Sequence, residues 1–192
     1  MKTMKGEIIA VAAPSGAGKT TIVKRILAQF PELVFSISAT TRPKREPETD
    51  GVEYIFLNED EFKKKIENNE FIEWEKFYDY YYGTFKSVID ETINLGNTIL
   101  LEVDVKGALS IKKLYPDAHL IYISPPSYQE LVNRLRDRKT ESEEDFKKRI
   151  ERAKMELSLK DKFDYIIVNE NLDNAVIETS VLVKKILKGD IT

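Results

Sequence analysis

Residues 13–21 read Ala13-Pro14-Ser15-Gly16-Ala17-Gly18-Lys19-Thr20-Thr21, and the apolar run Ile8-Ile9-Ala10-Val11-Ala12 stands just before them. The run has the length and branching of a buried parallel strand, while residues 21–30 place Ile22, Ile26 and Leu27 on one helical face. Strand, loop and helix therefore follow in the order of a phosphate-binding loop. In such a loop the backbone N–H groups from Ser15 to Thr20 and the positive end of the helix surround polyphosphate oxygens. Lys19 adds a point charge toward the β- and γ-phosphates, and the Thr20 hydroxyl is suited to ligate Mg²⁺. Gly16 and Gly18 let the backbone approach without a Cβ in the way. The G-x-x-x-x-G-K-[ST] pattern departs at its first glycine, which is Ala13 here, so position 13 must adopt a conformation that alanine tolerates. The motif points to nucleotide chemistry and by itself names no substrate.

Outward from this loop, 192 residues suffice for one well-cored α/β unit with small additions and fall short of two full-sized domains. A net charge of −3 argues against a globally basic nucleic-acid surface, so an anionic ligand must be drawn by local positive clusters. The chain has no cysteine, which excludes a disulfide scaffold and Cys-based zinc or redox sites. No apolar stretch reaches the length of a membrane span, and no leader pattern opens the chain. The expectation is a cytoplasmic protein that engages no membrane and no nucleic-acid polymer, with no obligate protein partner evident. The residue pattern predicts a strand over 34–39, an irregular basic, proline-rich loop over 40–51 and a strand over 53–57. A short helix through residue 68, opened by an Asn58/Glu61 capping box, and a strand over 71–77 follow. The α/β rhythm then resumes with helix 87–95, strand 98–103, helix 107–114, strand 118–124, strand 163–168 and helix 172–187. These elements predict a parallel sheet with helices on both faces.

The motifs succeed one another in a telling order. After the phosphate loop come Ser38-Ala39-Thr40-Thr41-Arg42-Pro43-Lys44-Arg45, Asp50-Gly51 with Tyr54, and Glu70-Phe71-Ile72-Glu73-Trp74. Tyr81-Tyr82-Gly83-Thr84 and Glu102-Val103-Asp104-Val105-Lys106-Gly107 complete the series, and over nearly its whole length the chain resembles guanylate kinase. The resemblance implies an α/β fold in which a P-loop core (1–37, 86–125 and 163–192) carries a small α+β GMP-binding insertion (38–85) and a helical lid (126–162). It implies reversible phosphoryl transfer from MgATP to GMP, giving ADP and GDP. Pro47 departs from the family, which often has glycine near that place.

GMP presents a phosphate dianion at one end and, at the other, a guanine edge with N1–H and N2–H₂ donors beside O6. It calls for cationic or hydroxyl donors at the first end and a carboxylate at the second. The resemblance assigns Arg42, Arg45, Tyr54 and Tyr82 to the phosphate, Glu73 to the guanine donors, and Ser38 and Thr84 to the base. Asp104 is also matched, its contact open between guanine, a Mg²⁺-bound water and orientation of the phosphate loop. On the donor side, the resemblance adds Arg134 as support for ATP and Asn169 near adenine, although an Asn there could equally cap the last helix or turn the chain. Arg138 and Arg149 are the lid arginines expected to close over the transferred phosphoryl, acting with Lys19 as the catalytic set.

Residues 134–162 carry eleven Lys or Arg against eight Asp or Glu, a local positive excess in an acidic chain. Ser142 with Asp145 reads as a helix cap, and Phe146, Ile150, Ala153 and Leu157 as that helix's apolar face. Taken singly, Arg136 and Arg152 read as members of salt-bridged helices. Trp74 reads as core of the insertion, and His119, the only histidine, as core-edge packing. A catalytically silent binding module has little use for Lys19, Thr20 and the lid arginines together, and the 38–84 motif series separates this chain from other small kinases. An ionised phosphate is already a competent nucleophile, so the expected mechanism is alignment and charge neutralisation, with closure excluding water.

Overall fold

The computed structural model, which describes residues 6–77, 79–136 and 143–191, is built around two sheets. Strand β1 (Ile8–Ala12) leads through the phosphate loop into helix α1 (Lys19–Gln29), followed by the short strands β2 (Val34–Phe35), β3 (Ala39–Thr40) and β4 (Ile55–Phe56). Helix α2 (Glu59–Glu67) precedes strands β5 (Phe71–Phe77) and β6 (Tyr80–Phe85), then helix α3 (Lys86–Asn94) and strand β7 (Ile99–Glu102). Helix α4 (Val105–Leu114), strand β8 (His119–Ser124) and helices α5 (Tyr128–Arg136) and α6 (Glu143–Ser158) come next. A 3₁₀ turn (Lys160–Lys162), strand β9 (Tyr165–Val168) and helix α7 (Leu172–Lys188) end the chain.

The larger sheet runs β2-β7-β1-β8-β9 with every pairing parallel. Alternation along β1 divides the core in two. Ile9 and Val11 face α1 and α7 through Ile22, Val23, Ile26, Val176 and Val183, whereas Ile8, Ala10 and Ala12 face α3 and α4 through Ile89, Ile93, Ala108 and Ile111. Each isoleucine or valine among them, when fully buried, contributes about 1.5–3 kcal/mol. The helices flank a parallel sheet on both faces, as the rhythm of the sequence predicts.

One expected strand does not exist as a unit. Residues 34–39 are two pieces: β2 pairs with β7 in the larger sheet, and β3 begins the second sheet, whose order is β4-β3-β6-β5. The chain crosses between sheets at Ser36-Ile37-Ser38 because the β2 and β3 partners lie in different layers. The expected capping box opens α2, Asn58 accepting the Glu61 N–H at 2.8 Å while the Glu61 carboxylate accepts the Asn58 N–H at 3.0 Å. A small core of Ala39, Phe62 and Phe71 holds this layer. Trp74 is not part of it. The β5–β6 register shifts between Phe71 and Glu73, after which Glu73, Glu75 and Phe77 share one side of β5 and Trp74, 47% exposed, faces the other.

Helices α5 and α6 meet through Leu131, Leu135 and Ala153 with Phe146, Ile150 and Leu157, the apolar face read from the sequence. The cap expected at Ser142 lies outside the described residues. His119 is buried at the core edge with Nε2 3.5 Å from a Glu7 carboxylate oxygen. Among the described residues no helix is long and apolar enough to cross a membrane.

Candidate active site

Gly16 and Gly18 adopt φ of 89° and 90°, and Ala13 is not among the residues with positive φ, which explains why alanine stands where the motif has its first glycine. Gly18 caps α1 without a side-chain hydrogen bond, so the first-turn N–H groups of that helix face the loop's concavity. Lys19 Nζ donates to the Val103 carbonyl at 2.5 Å and lies 3.9 Å from Glu102 Oε1. Burial lowers the Lys19 pKa, opposed by the carboxylates of Glu102, Asp104, Glu156 and Glu73. The Thr20 hydroxyl donates to Glu102 Oε1 at 2.5 Å.

Asn169 has a task that the sequence did not disclose. Only 5% exposed, it donates from Nδ2 to the Ala17 carbonyl at 2.7 Å, and its own N–H is held by the Ser124 carbonyl at 2.7 Å. A Cβ on Gly18 would stand 2.4 Å from Nδ2, so the amide fills the space the glycine leaves. The cap of α7 is Asn171, which accepts the Asn174 N–H, rather than Asn169. Arg134 donates from Nη2 to the Asn169 carbonyl at 3.2 Å and from Nε to Glu130 at 2.9 Å.

Between the two sheets lies a cavity of about 620 Å³ lined by Ser38, Tyr54, Glu73, Tyr82 and Asp104, with Lys19 at one end. A second cavity of about 390 Å³ opens beside Ser15, Gly16, Gly18, Lys19, Thr20 and Thr21. Lys19, Glu102, Asp104 and Arg152 line both, so the two are halves of one cleft.

After β3, Arg42 is 8% exposed and forks onto Glu48, a residue of the larger cavity's lining, at 3.0 and 2.7 Å, with Pro43 O accepting from Nη1 at 2.7 Å. Its guanidinium sits 5.5 Å from the Tyr54 ring centroid, and the Tyr54 and Tyr82 rings meet edge-on at 6.1 Å. The Arg45 N–H donates to Glu48 Oε2 at 2.7 Å, so Glu48 organises both arginine positions. Thr84 donates its hydroxyl to Glu73 Oε1 at 2.5 Å. Burial pushes the Glu73 carboxyl up to about 7; Asp104 adds to the rise, and the Thr84 hydroxyl and Lys19 oppose it.

Asp104 is the N-cap of α4. Its Oδ1 accepts the Gly107 N–H at 2.6 Å and its Oδ2 accepts from Arg152 Nη2 at 3.1 Å. Burial works against ionisation, yet hydrogen bonding with Glu75 and Gly107, with the charges of Arg152 and Lys19, keeps its pKa below the ordinary value. Glu75 is raised instead, by burial and by Asp104 beside it.

Arg149 lies on α6, half-buried, whereas Arg138 falls outside the described residues. The structure thus brings the phosphate loop, Ser38, Tyr54, Glu73, Tyr82 and Asp104 to one cleft and adds Glu48, Glu75, Glu102 and Arg152, whereas Arg42, Arg45 and Thr84 do not line it and Arg45 is exposed. Glu75 was legible in principle, since period-two alternation from Glu73 puts it on the same side. Arg152 carried no such signal, because its partner Glu75 lies 77 positions away.

The sequence model of the family described as Guanylate kinase matches residues 5–186. The guanylate kinase of Thermotoga maritima is 49% identical over 173 residues, covering 90% of this chain and 84% of that protein. That of Chlorobium luteolum is 48% identical over 172 residues, covering 89% and 87%. The crystal structure of guanylate kinase from Anaplasma phagocytophilum matches with a TM-score of 0.76 at 27% identity, covering 94% of this chain and 86% of that one.

Proposed function

The chain belongs to the guanylate kinase family and is an ATP:GMP phosphotransferase, and we propose that the phosphate loop is its donor site, residues 38–85 its acceptor insertion and residues 126–162 its lid. The observation that carries this assignment is the continuity of the cleft: Lys19 stands where the phosphate-loop cavity meets the cavity that holds Glu73. A γ-phosphoryl on Lys19 and a GMP phosphate arriving from the acceptor half meet at that junction.

In this reading Glu73 accepts the guanine N1–H and N2–H₂ donors, with Thr84 orienting it and Ser38 beside the base. Arg42, Arg45, Tyr54 and Tyr82 hold the GMP phosphate. Glu48 and Pro43 engage three of the guanidinium donors of Arg42, and the others remain for phosphate oxygens. A GMP phosphate oxygen forms the new bond to the γ-phosphorus as the bridging oxygen of ATP leaves with its electrons on ADP. Lys19 and the first-turn N–H groups of α1 stabilise the charge moving onto the β–γ bridge, and Arg149 and Arg138 act on the transferring group from the lid. Arg134 and Asn169 keep the loop and the adenosine side in register.

The donor set also fits a magnesium ion. The Thr20 hydroxyl and Glu102 carboxylate, 2.5 Å apart, are hard oxygens of the kind Mg²⁺ takes together with substrate phosphates and water. Among the described residues no group of three or more His, Cys, Asp or Glu forms a dedicated metal cage, in keeping with a metal that arrives on its nucleotide. When bound, the ion supplies charge neutralisation at the β- and γ-oxygens.

Incubating purified protein with MgATP and GMP, AMP, CMP or UMP and separating the products tests the assignment. GDP is the expected product, with AMP disfavoured by roughly 10⁴-fold or more because its base leaves Glu73 without a donor pair. Equal use of AMP and GMP overturns the acceptor site.

A further inference from the structure

We propose that Arg152 is a positioning residue for the transfer, tying helix α6 to the acceptor wall and to Asp104 so that seating of GMP and closure over the donor phosphates become one coupled motion. The inference rests on the reading of residues 38–85 as acceptor insertion and 126–162 as lid.

The guanidinium of Arg152 joins three separate parts of the fold. It forks onto Glu75 of β5 at 3.0 and 2.6 Å, reaches Asp104 at the start of α4 at 3.1 Å, and donates from Nε to Glu156 of its own helix at 2.8 Å. Its plane also lies over the Phe77 ring, 4.6 Å from the centroid. All three nitrogens are engaged, and the side chains of Arg152, Glu75 and Asp104 are each 30% exposed or less. Such a network is far from the solvated surface pair whose contribution is near zero.

Packing within the helical pair does not require this reach. The apolar face of α6 is Phe146, Ile150, Ala153 and Leu157, and Arg152 lies beside that face. A charge needed only for helix stability would be satisfied by Glu156 one turn on. The extra contacts cross the cleft, where Arg152 lines both the donor and the acceptor cavity.

Two connections carry its influence to the reacting groups. Glu75 shares one side of β5 with Glu73, so a displacement at the tie moves the carboxylate assigned to guanine. Asp104 caps α4 with its other oxygen, and Gly107 of that helix lies so close to Glu73 that a Cβ there would stand 2.9 Å from Oε2. Without Arg152, the carboxylates of Glu75 and Asp104 lose the guanidinium that both contact. Lysine does not replace it, because a point charge offers neither the fork nor the stack.

The test is calorimetric binding of GMP with and without MgADP, alongside kcat, KM and melting temperature, for wild type, Arg152→Met, Arg152→Lys, Glu75→Gln and the Glu75→Gln/Arg152→Met double variant. Wild type is expected to bind GMP more tightly when the donor site is filled. Each single variant is expected to lose about tenfold of that coupling, with kcat/KM for GMP falling alike, lysine no better than methionine and the double variant no worse than Arg152→Met. A wild-type coupling factor of one, unchanged coupling in both Arg152→Met and Glu75→Gln, effects that add, or restoration by lysine would each overturn the tie. Because Glu75→Gln is nearly isosteric, the test survives poor folding of an Arg152 variant. Wild type failing to prefer GMP over AMP instead removes the acceptor reading, so the two failures are told apart.

Discussion

Glu73→Gln is expected to stabilise the unliganded protein at pH 8 while disabling its use of GMP. Burial pushes the Glu73 carboxyl from an ordinary 4.5 up to about 7. Between these values the unfolded chain has released a proton that the folded chain keeps, so stability falls as pH rises, by about 1.4 kcal/mol per pH unit. The contribution is fully present below 4.5 and lost through about 7, in all about 3 kcal/mol across the window. Glutamine has no proton to lose and escapes that decline. Urea unfolding of both proteins at pH 5 and pH 8 measures most of it: the stability of the variant relative to wild type should rise by about 2.5 kcal/mol between the two pH values. Activity runs the other way. With a carboxyl near 7, about one molecule in eleven is ionised at pH 6 and ten in eleven at pH 8, so wild-type kcat/KM for GMP should climb about tenfold. The second ionisation of the GMP phosphate, near pH 6, acts on both proteins and cancels in the comparison. Parallel stability profiles for wild type and Glu73→Gln would refute the buried, proton-holding carboxyl and the role built on it.

Lys19→Ala should abolish detectable GDP formation while circular dichroism still reports a folded chain; normal turnover would remove the lysine from the mechanism. Gly18→Ala places a Cβ 2.4 Å from Asn169 Nδ2 at a φ of 90°, a strain of about 1–3 kcal/mol. It should lower the melting temperature and raise KM for ATP more than for GMP, and equal effects on both would deny Asn169 its hold on the loop. Arg149→Ala should lower kcat by about 10³-fold if the guanidinium acts on the transferring phosphoryl. Arg136→Ala, whose guanidinium lies 5.4 Å from the Phe146 ring centroid, should change kcat little, and similar losses in both variants would reduce the lid to a charged cap.

What could be read from the sequence is what short-range geometry determines. The phosphate loop announces itself because only glycine suits the backbone of Gly16 and Gly18, and the α2 cap because Asn58 and Glu61 satisfy each other within one turn. Residues 34–39 were read as one strand because both pieces carry strand-forming residues, and the change of sheet depends on partners at 99–100 and 55–56. Trp74 was assigned to the core on hydrophobicity, whereas the register shift at Phe71/Glu73 turns it outward and gives Glu73 and Glu75 the cleft. The hold of Asn169 on Ala17 spans 152 positions, and the fork of Arg152 on Glu75 spans 77. No local pattern encodes either.

The second sheet enters from the core at β3 and returns to it at β6, and these two strands pair side by side, Ala39 with Gly83 and Thr40 with Tyr82. Attachment through neighbouring strands brings the entry and exit of the second sheet side by side, while Ile72 of β5 anchors that sheet in the core face of Ile8, Ala10 and Ala12. On the acceptor reading proposed above, a recipient scaffold with the same two stumps and a pocket for Ile72 is expected to take on base preference by transplantation rather than by point substitution. Compatibility would be decided at the seams, which include the Gly107 surface on which Glu73 rests, the arginine that meets Glu75 and the core face that receives Ile72.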